Sequence, residues 1–158
     1  MHLDSPEEVI ELVTQELDKT TSSRENRLSA VRALPSVGKA LGAVDVREKL
    51  IPLVLSIAPA EEDEVQFAIA EILENYVPVV GGGEYAHLIL KILEAMCTAE
   101  ETVVRDRTAK AFSKVVTEMQ WSAESSTICL EILSNLSKGA WFTEKVLASN
   151  MYAAVYLK

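Results

Sequence analysis

The stretch that decides the fold is AHLILKILEAMCTAEETVVRDRTAKAFSKVV, residues 86–116. Ile89, Ile92 and Met96 fall at i, i+3 and i+7, the spacing of one face of a helix. After a short polar turn, Ala109, Phe112 and Val116 repeat the same spacing. The segment therefore predicts two apolar-striped helices joined by a turn, too little to bury either stripe alone.

Working outward, the first triplet recurs as Ile10/Val13/Leu17, Leu50/Leu53/Ile57 and Cys129/Ile132/Leu136, with steps of 40, 39 and 40 along the chain. The second recurs as Ala30/Ala33/Val37, Ala70/Leu73/Val77 and Ala148/Met151/Val155, with steps of 40, 39 and 39. All 24 positions are apolar, about twice what the 49% apolar composition would place there by chance. The chain reads as four helix-pair units, at 5–42, 43–81, 82–119 and 120–158. A period of 39–40 exceeds that of ankyrin and tetratricopeptide repeats and fits two-helix HEAT units. The fold class expected is all-α: an α-solenoid in which neighbouring pairs seal one continuous core. Ala30, Ala70, Ala109 and Ala148 mark a position of close helix approach.

Local signals agree. Ser5 as N-cap, Pro6 at the first helical position and Glu8 three residues after the cap open the first helix. Gly81-Gly82-Gly83 punctuates the second boundary. Pro52 should bend the second A helix, and Pro35 should kink or restart the first B helix.

Composition narrows the function. The 158 residues carry 15 Lys+Arg and 24 Asp+Glu, a net charge of −9, with a pI near 4.8. That disfavours nucleic acid and anionic lipid as partners. The acidity is uneven: residues 1–79 hold 15 acids and 7 bases, whereas 80–158 hold 9 and 8. Two isolated cysteines, 97 and 129, make no disulfide framework and suit a reducing compartment. MHLDSPEEV has no basic, apolar leader pattern, and the longest apolar stretch, 50–60, is too short to span a membrane. A soluble, cytoplasmic protein is expected, with the nucleus open as well.

Chemistry has little foothold. His2 and His87 lack a local nucleophile pattern, and no Cys/His cluster suggests a metal. The expectation is no enzyme, cofactor or metal. Cys129 reads as a buried hydrophobe and Cys97 as half exposed. Gly81–Gly83 lacks the Lys-Ser/Thr of a phosphate loop.

The A-to-B turns are more informative: TTSSRE from Thr20, AEEDEV from Ala60, AEETVV from Ala99 and GAWFTE from Gly139. In a solenoid such turns form a ridge along one edge. It would carry Glu61, Glu62, Asp63 and Glu64, then Glu100 and Glu101, then Trp141 and Phe142. The acids suit the N-terminal ends of the B helices, and equally a basic or polar partner. Trp141 and Phe142 replace polar turn residues, as a protein-binding hot spot would; Phe142 could instead fold back over the end of the array. Trp121, at a unit boundary, reads as packing.

The segments EEDEVQFAIAEIL from Glu61, VVGGGEYAHLIL from Val79, AEETVVRDRTAKA from Ala99 and GAWFTEKV from Gly139 resemble the N-terminal HEAT repeats of the scaffold (A) subunit of protein phosphatase 2A. The EETVVRD and WFT blocks are the most specific, and the first unit is the most divergent. The resemblance implies a non-catalytic scaffold whose N-terminal repeats hold interchangeable B-type regulatory subunits through these turns. The catalytic subunit is held by C-terminal repeats that this chain would lack. By position, the carry-over falls on Glu62, Asp63, Glu64, Glu100, Glu101, Trp141 and Phe142. Arg105 and Asp106 read as holding adjacent repeats together, partner contact being the other reading. The resemblance also implies a fragment of a longer array, with Met151 and Val155 leaving an apolar end face able to self-associate. A HEAT adaptor for another client, such as a transport or assembly factor, is the competing reading.

Overall fold

A computed structural model of the chain describes residues 5–140 and 142–156. His2 and Trp141 lie outside the described residues, as does the side chain of Val155. The described residues form an all-α solenoid. In chain order the helices are α1 (Pro6–Leu17), α2 (Arg24–Leu41), α3 (Ala43–Asp45), α4 (Ile51–Ile57), α5 (Asp63–Leu73), α6 (Val77–Val80), α7 (Ala86–Met96), α8 (Thr102–Glu118), α9 (Ala123–Ser137) and α10 (Phe142–Tyr156).

Two layers run the length of the array. Helices α2, α5, α8 and α10 pack side by side in one, and α4, α7 and α9 in the other. Antiparallel partners, α1 on α2, α7 on α8 and α9 on α10, close the layers against each other. The seam between them is a continuous core that includes Leu17, Leu34, Leu50, Ile69, Leu90, Phe112, Ile132 and Met151. No helix among the described residues is long and apolar enough to cross a membrane.

Helix starts follow the local chemistry. The Ser5 hydroxyl accepts from the backbone N–H of Glu8 at 3.2 Å, and Ser23 caps α2 in the same way through Asn26. Ser122 and Ser125 form a reciprocal capping box on α9. Gly81 and Gly82 take φ of 111° and 110°, which lets the chain reverse between α6 and α7 without a Cβ penalty.

The two helix-interior prolines are accommodated in different ways. α2 runs unbroken through Pro35. Proline removes one i→i−4 donor, and burial of Val31, Leu34 and Gly38 against the following pair holds the helix in spite of it. Before Pro52 the helix widens into a π turn, Val46–Leu50, where the Ile51 N–H donates to the Val46 carbonyl. A π turn makes room for the ring and absorbs the lost bond. The second B helix is interrupted at 74–76 and resumes as α6, with Pro78 near its start.

The first B stripe also needs correction. Ala33 is exposed and Ala30 and Val37 are half buried, while Val31, Leu34 and Gly38 are buried. The step to Ala70/Leu73/Val77 is then 39 residues, matching the later steps. The equivalent B-helix position is therefore Val31, Ala70, Ala109 and Ala148, the first of which is not small.

Candidate protein-docking edge

Near the start of the first three B helices, one position governs the turn. Arg27, Gln66 and Arg105 are spaced by 39, and each donates back to carbonyls at the end of the preceding A helix or in the turn. Arg27 Nη1 reaches the Ser22 carbonyl at 2.7 Å. Gln66 Nε2 reaches that of Ala58 at 2.9 Å. Arg105 Nη1 reaches those of Ala99 and Glu100 at 2.6 and 2.7 Å, and its Nη2 the Thr102 hydroxyl at 3.0 Å. These bonds give partners to main-chain carbonyls in and beside the turns. Arg105 thus fastens its own turn. Asp106 is exposed.

The acids of the second turn do not form a uniform ridge. Glu61 is withdrawn from it: its side chain is 2% exposed and meets Arg27, itself 3% exposed, at 3.0 Å. Glu62 accepts from Arg27 Nη2 at 3.2 Å while staying 45% exposed. Arg24 Nε lies 3.4 Å from Glu64. Asp63 is exposed and has no ion-pair partner among the described residues. Asp63 and Glu64 occupy the first turn of α5, where the helix dipole favours negative charge. In the third turn Glu100 and Glu101 are exposed, just ahead of α8. Phe142, at the start of α10, is 81% exposed and so does not fold back over the array.

Three of the expected residues meet in one place. Asp63, Glu64 and Glu101 line a hollow of about 590 Å³ that crosses α2, α5 and α8. Its other walls, Arg32, Phe67, Ala68, Glu71, Val103 and Val104, were not singled out by the sequence. Val103 and Val104 close the turn segment AEETVV, whereas Arg32, Phe67, Ala68 and Glu71 sit a helical turn or more into α2 and α5, where turn register alone does not reach. Glu62, Glu100 and Phe142 are exposed outside this hollow.

Polar rungs join one pair to the next: Arg107 to Glu74 at 2.5 Å, Lys114 to Asn75, Asn135 to Glu94 at 3.0 Å. The Arg107 hydrogen bond holds the Glu74 carboxyl below its ordinary pKa. Arg47 donates to the Val80 carbonyl at 2.8 Å and lies over the Tyr85 ring, clamping the glycine linker.

The remaining candidates for chemistry lie in the core. His87 is 3% exposed, with Nδ1 buried and unpaired, and burial lowers its pKa. Cys97, expected to be half exposed, is fully buried, because it continues the inner face of α7. Cys129 is buried as expected, and Trp121 packs half buried against the core. Ala148 and Met151 are buried too, where α10 packs on α8 and α9.

A solenoid of helix pairs, with its polar groups spent on fastening turns and joining repeats, belongs to the class of helical-repeat proteins. Within that class the chain is similar to the scaffold (A) subunit of protein phosphatase 2A. It is 33% identical over 133 residues to the regulatory (A) subunit of protein phosphatase PP2A from Saccharomyces cerevisiae, covering 84% of the chain and 21% of the relative. It is 34% identical over 135 residues to the beta isoform of the human 65 kDa regulatory (A) subunit, covering 82% and 21%. It is 35% identical over 130 residues to the protein phosphatase 2A scaffold subunit of Dictyostelium discoideum, covering 82% and 22%. The chain spans about a fifth of the length of these curated relatives. No family model matches it. The relatives are named as regulatory or scaffold subunits, in agreement with the non-catalytic reading.

Proposed function

We propose that the chain is a non-catalytic scaffold segment that binds B-type regulatory subunits of protein phosphatase 2A through its A-to-B turns. The observation that carries this reading is the exposure of Asp63, Glu64 and Glu101 on a shared hollow, in a chain similar to scaffold subunits over more than four-fifths of its length. Glu62, Glu100 and Phe142, all exposed, extend the same docking edge, and Trp141 next to Phe142 is its aromatic anchor. The working units are the four HEAT repeats at 5–42, 43–81, 82–119 and 120–158. Matched to the N-terminal repeats, the chain takes regulatory subunits and leaves the catalytic subunit to other parts of a full scaffold. The cytoplasm and nucleus are the compartments that suit this role.

Isothermal titration of the chain with a purified B-type partner tests the reading, with Trp141→Ala and Phe142→Ala variants alongside. Truncating a central aromatic anchor should cost on the order of 2 kcal/mol. Unchanged affinity in both variants would remove the aromatic pair from the site.

A further inference from the structure

The hollow across α2, α5 and α8 combines two requirements in one place. Its floor is apolar: Phe67 is half buried, Ala68 and Val104 are buried, and Val103 stands at the lip 63% exposed. Its rim is anionic, with Asp63, Glu64, Glu71 and Glu101 against a single lining base, Arg32. Arg24 already engages Glu64, but Asp63, Glu71 and Glu101 have no ion-pair partner among the described residues. The dipole of α5 offsets charge only in its first turn, so it does little for Glu71, two turns further on.

Resting on the scaffold reading, we propose that this hollow seats a segment of the protein partner in which a lysine or arginine flanks an apolar side chain. The charge pattern makes the choice. An acidic segment would meet like charge at the rim, and a wholly apolar one would strip water from carboxylates without replacing it. A segment that was only basic would leave Phe67 and Val103 uncovered. The volume of about 590 Å³ is that of a small binding cleft, with room for large side chains. A basic residue beside an apolar one satisfies rim and floor together.

The test uses three labelled peptides: one of lysine and leucine, one of lysine and serine, one of glutamate and leucine. Each is titrated against the whole chain while backbone amide NMR shifts are followed. The lysine–leucine peptide should bind tightest and move the amides of Phe67, Glu71, Val103 and Val104. Glu71→Lys and Val103→Ser should each weaken it by about tenfold, as loss of one well-placed contact does. Both positions are exposed, so thermal unfolding should stay unchanged and any loss of binding is local. Equal affinity for all three peptides, or shifts confined to another face, would overturn the proposal.

The same two variants are then titrated with a B-type regulatory subunit. Wild-type binding weakened in both variants supports the hollow as the seat. Wild-type binding unchanged in both overturns the hollow and leaves the scaffold reading standing. If the wild-type chain binds no regulatory subunit, the scaffold reading fails, and the peptide titration alone decides the hollow.

Discussion

The guanidinium of Arg27 and the carboxylate of Glu61 lie 3.0 Å apart, and their side chains are 3% and 2% exposed. The pair joins the first B helix to the turn of the second unit, so it fixes how those two units stack. A charge removed from water so completely depends on its partner. Glu61→Leu or Arg27→Leu alone should therefore cost about 3–5 kcal/mol. The double replacement should cost far less, because it leaves no buried charge behind. Removing Arg24, about half exposed at its pair with Glu64, should cost under about 1 kcal/mol. Urea unfolding of the four variants checks the ordering.

Gly38 packs where no side chain fits. A Cβ there would lie 2.3 Å from Val79 Cγ1 and 2.6 Å from the Tyr76 hydroxyl. That hydroxyl donates to the Leu34 carbonyl at 2.7 Å. Gly38→Ala should destabilise by about 1–3 kcal/mol through overpacking, despite alanine's better helix propensity. Tyr76→Phe should cost about 1 kcal/mol. A Gly38→Ala variant as stable as the parent would show that α2 and α6 are not held this close.

His87 should make stability fall in mild acid. Burial sets its folded pKa below the ordinary 6.5, so the unfolded chain takes up the proton first. Its contribution is intact above about pH 6.5 and is lost as pH falls below that value, by at most about 1.4 kcal/mol per unit. Unfolding midpoints measured from pH 7.5 to 5 should show the slope. His87→Gln should flatten it, whatever its effect on the absolute midpoint.

The thiols should be silent in the folded chain. Burial pushes Cys97 up to about 12 and Cys129 up to about 11. Both are shut away from solvent, so native-state alkylation at pH 8 should be negligible and both should react after unfolding. Rapid labelling of Cys97 in the native chain would contradict its burial at the end of α7.

The fold was legible because one signal, apolar spacing, recurs in every unit, and the error in it is instructive. Ala30/Ala33/Val37 is as apolar as Val31/Leu34/Gly38, and only tertiary packing selects the second set. The matching positions of Arg27, Gln66 and Arg105 carried the correct 39-residue step, but their polarity hid them from a search for apolar residues. The docking edge was legible only as turn composition. Glu61 and Asp63 look alike in the sequence, yet a neighbour 34 residues away buries one while the other stays in water. Phe67, Glu71 and Val103 come together only when α5 and α8 are laid side by side.

Binding of this chain should be measured side by side against two proteins: the isolated catalytic subunit of protein phosphatase 2A, and one of its B-type regulatory subunits. Saturable binding of the regulatory subunit, weaker than that of a full-length scaffold, is expected, with no binding of the catalytic subunit. Binding of only the catalytic subunit, or of neither, would contradict the scaffold reading.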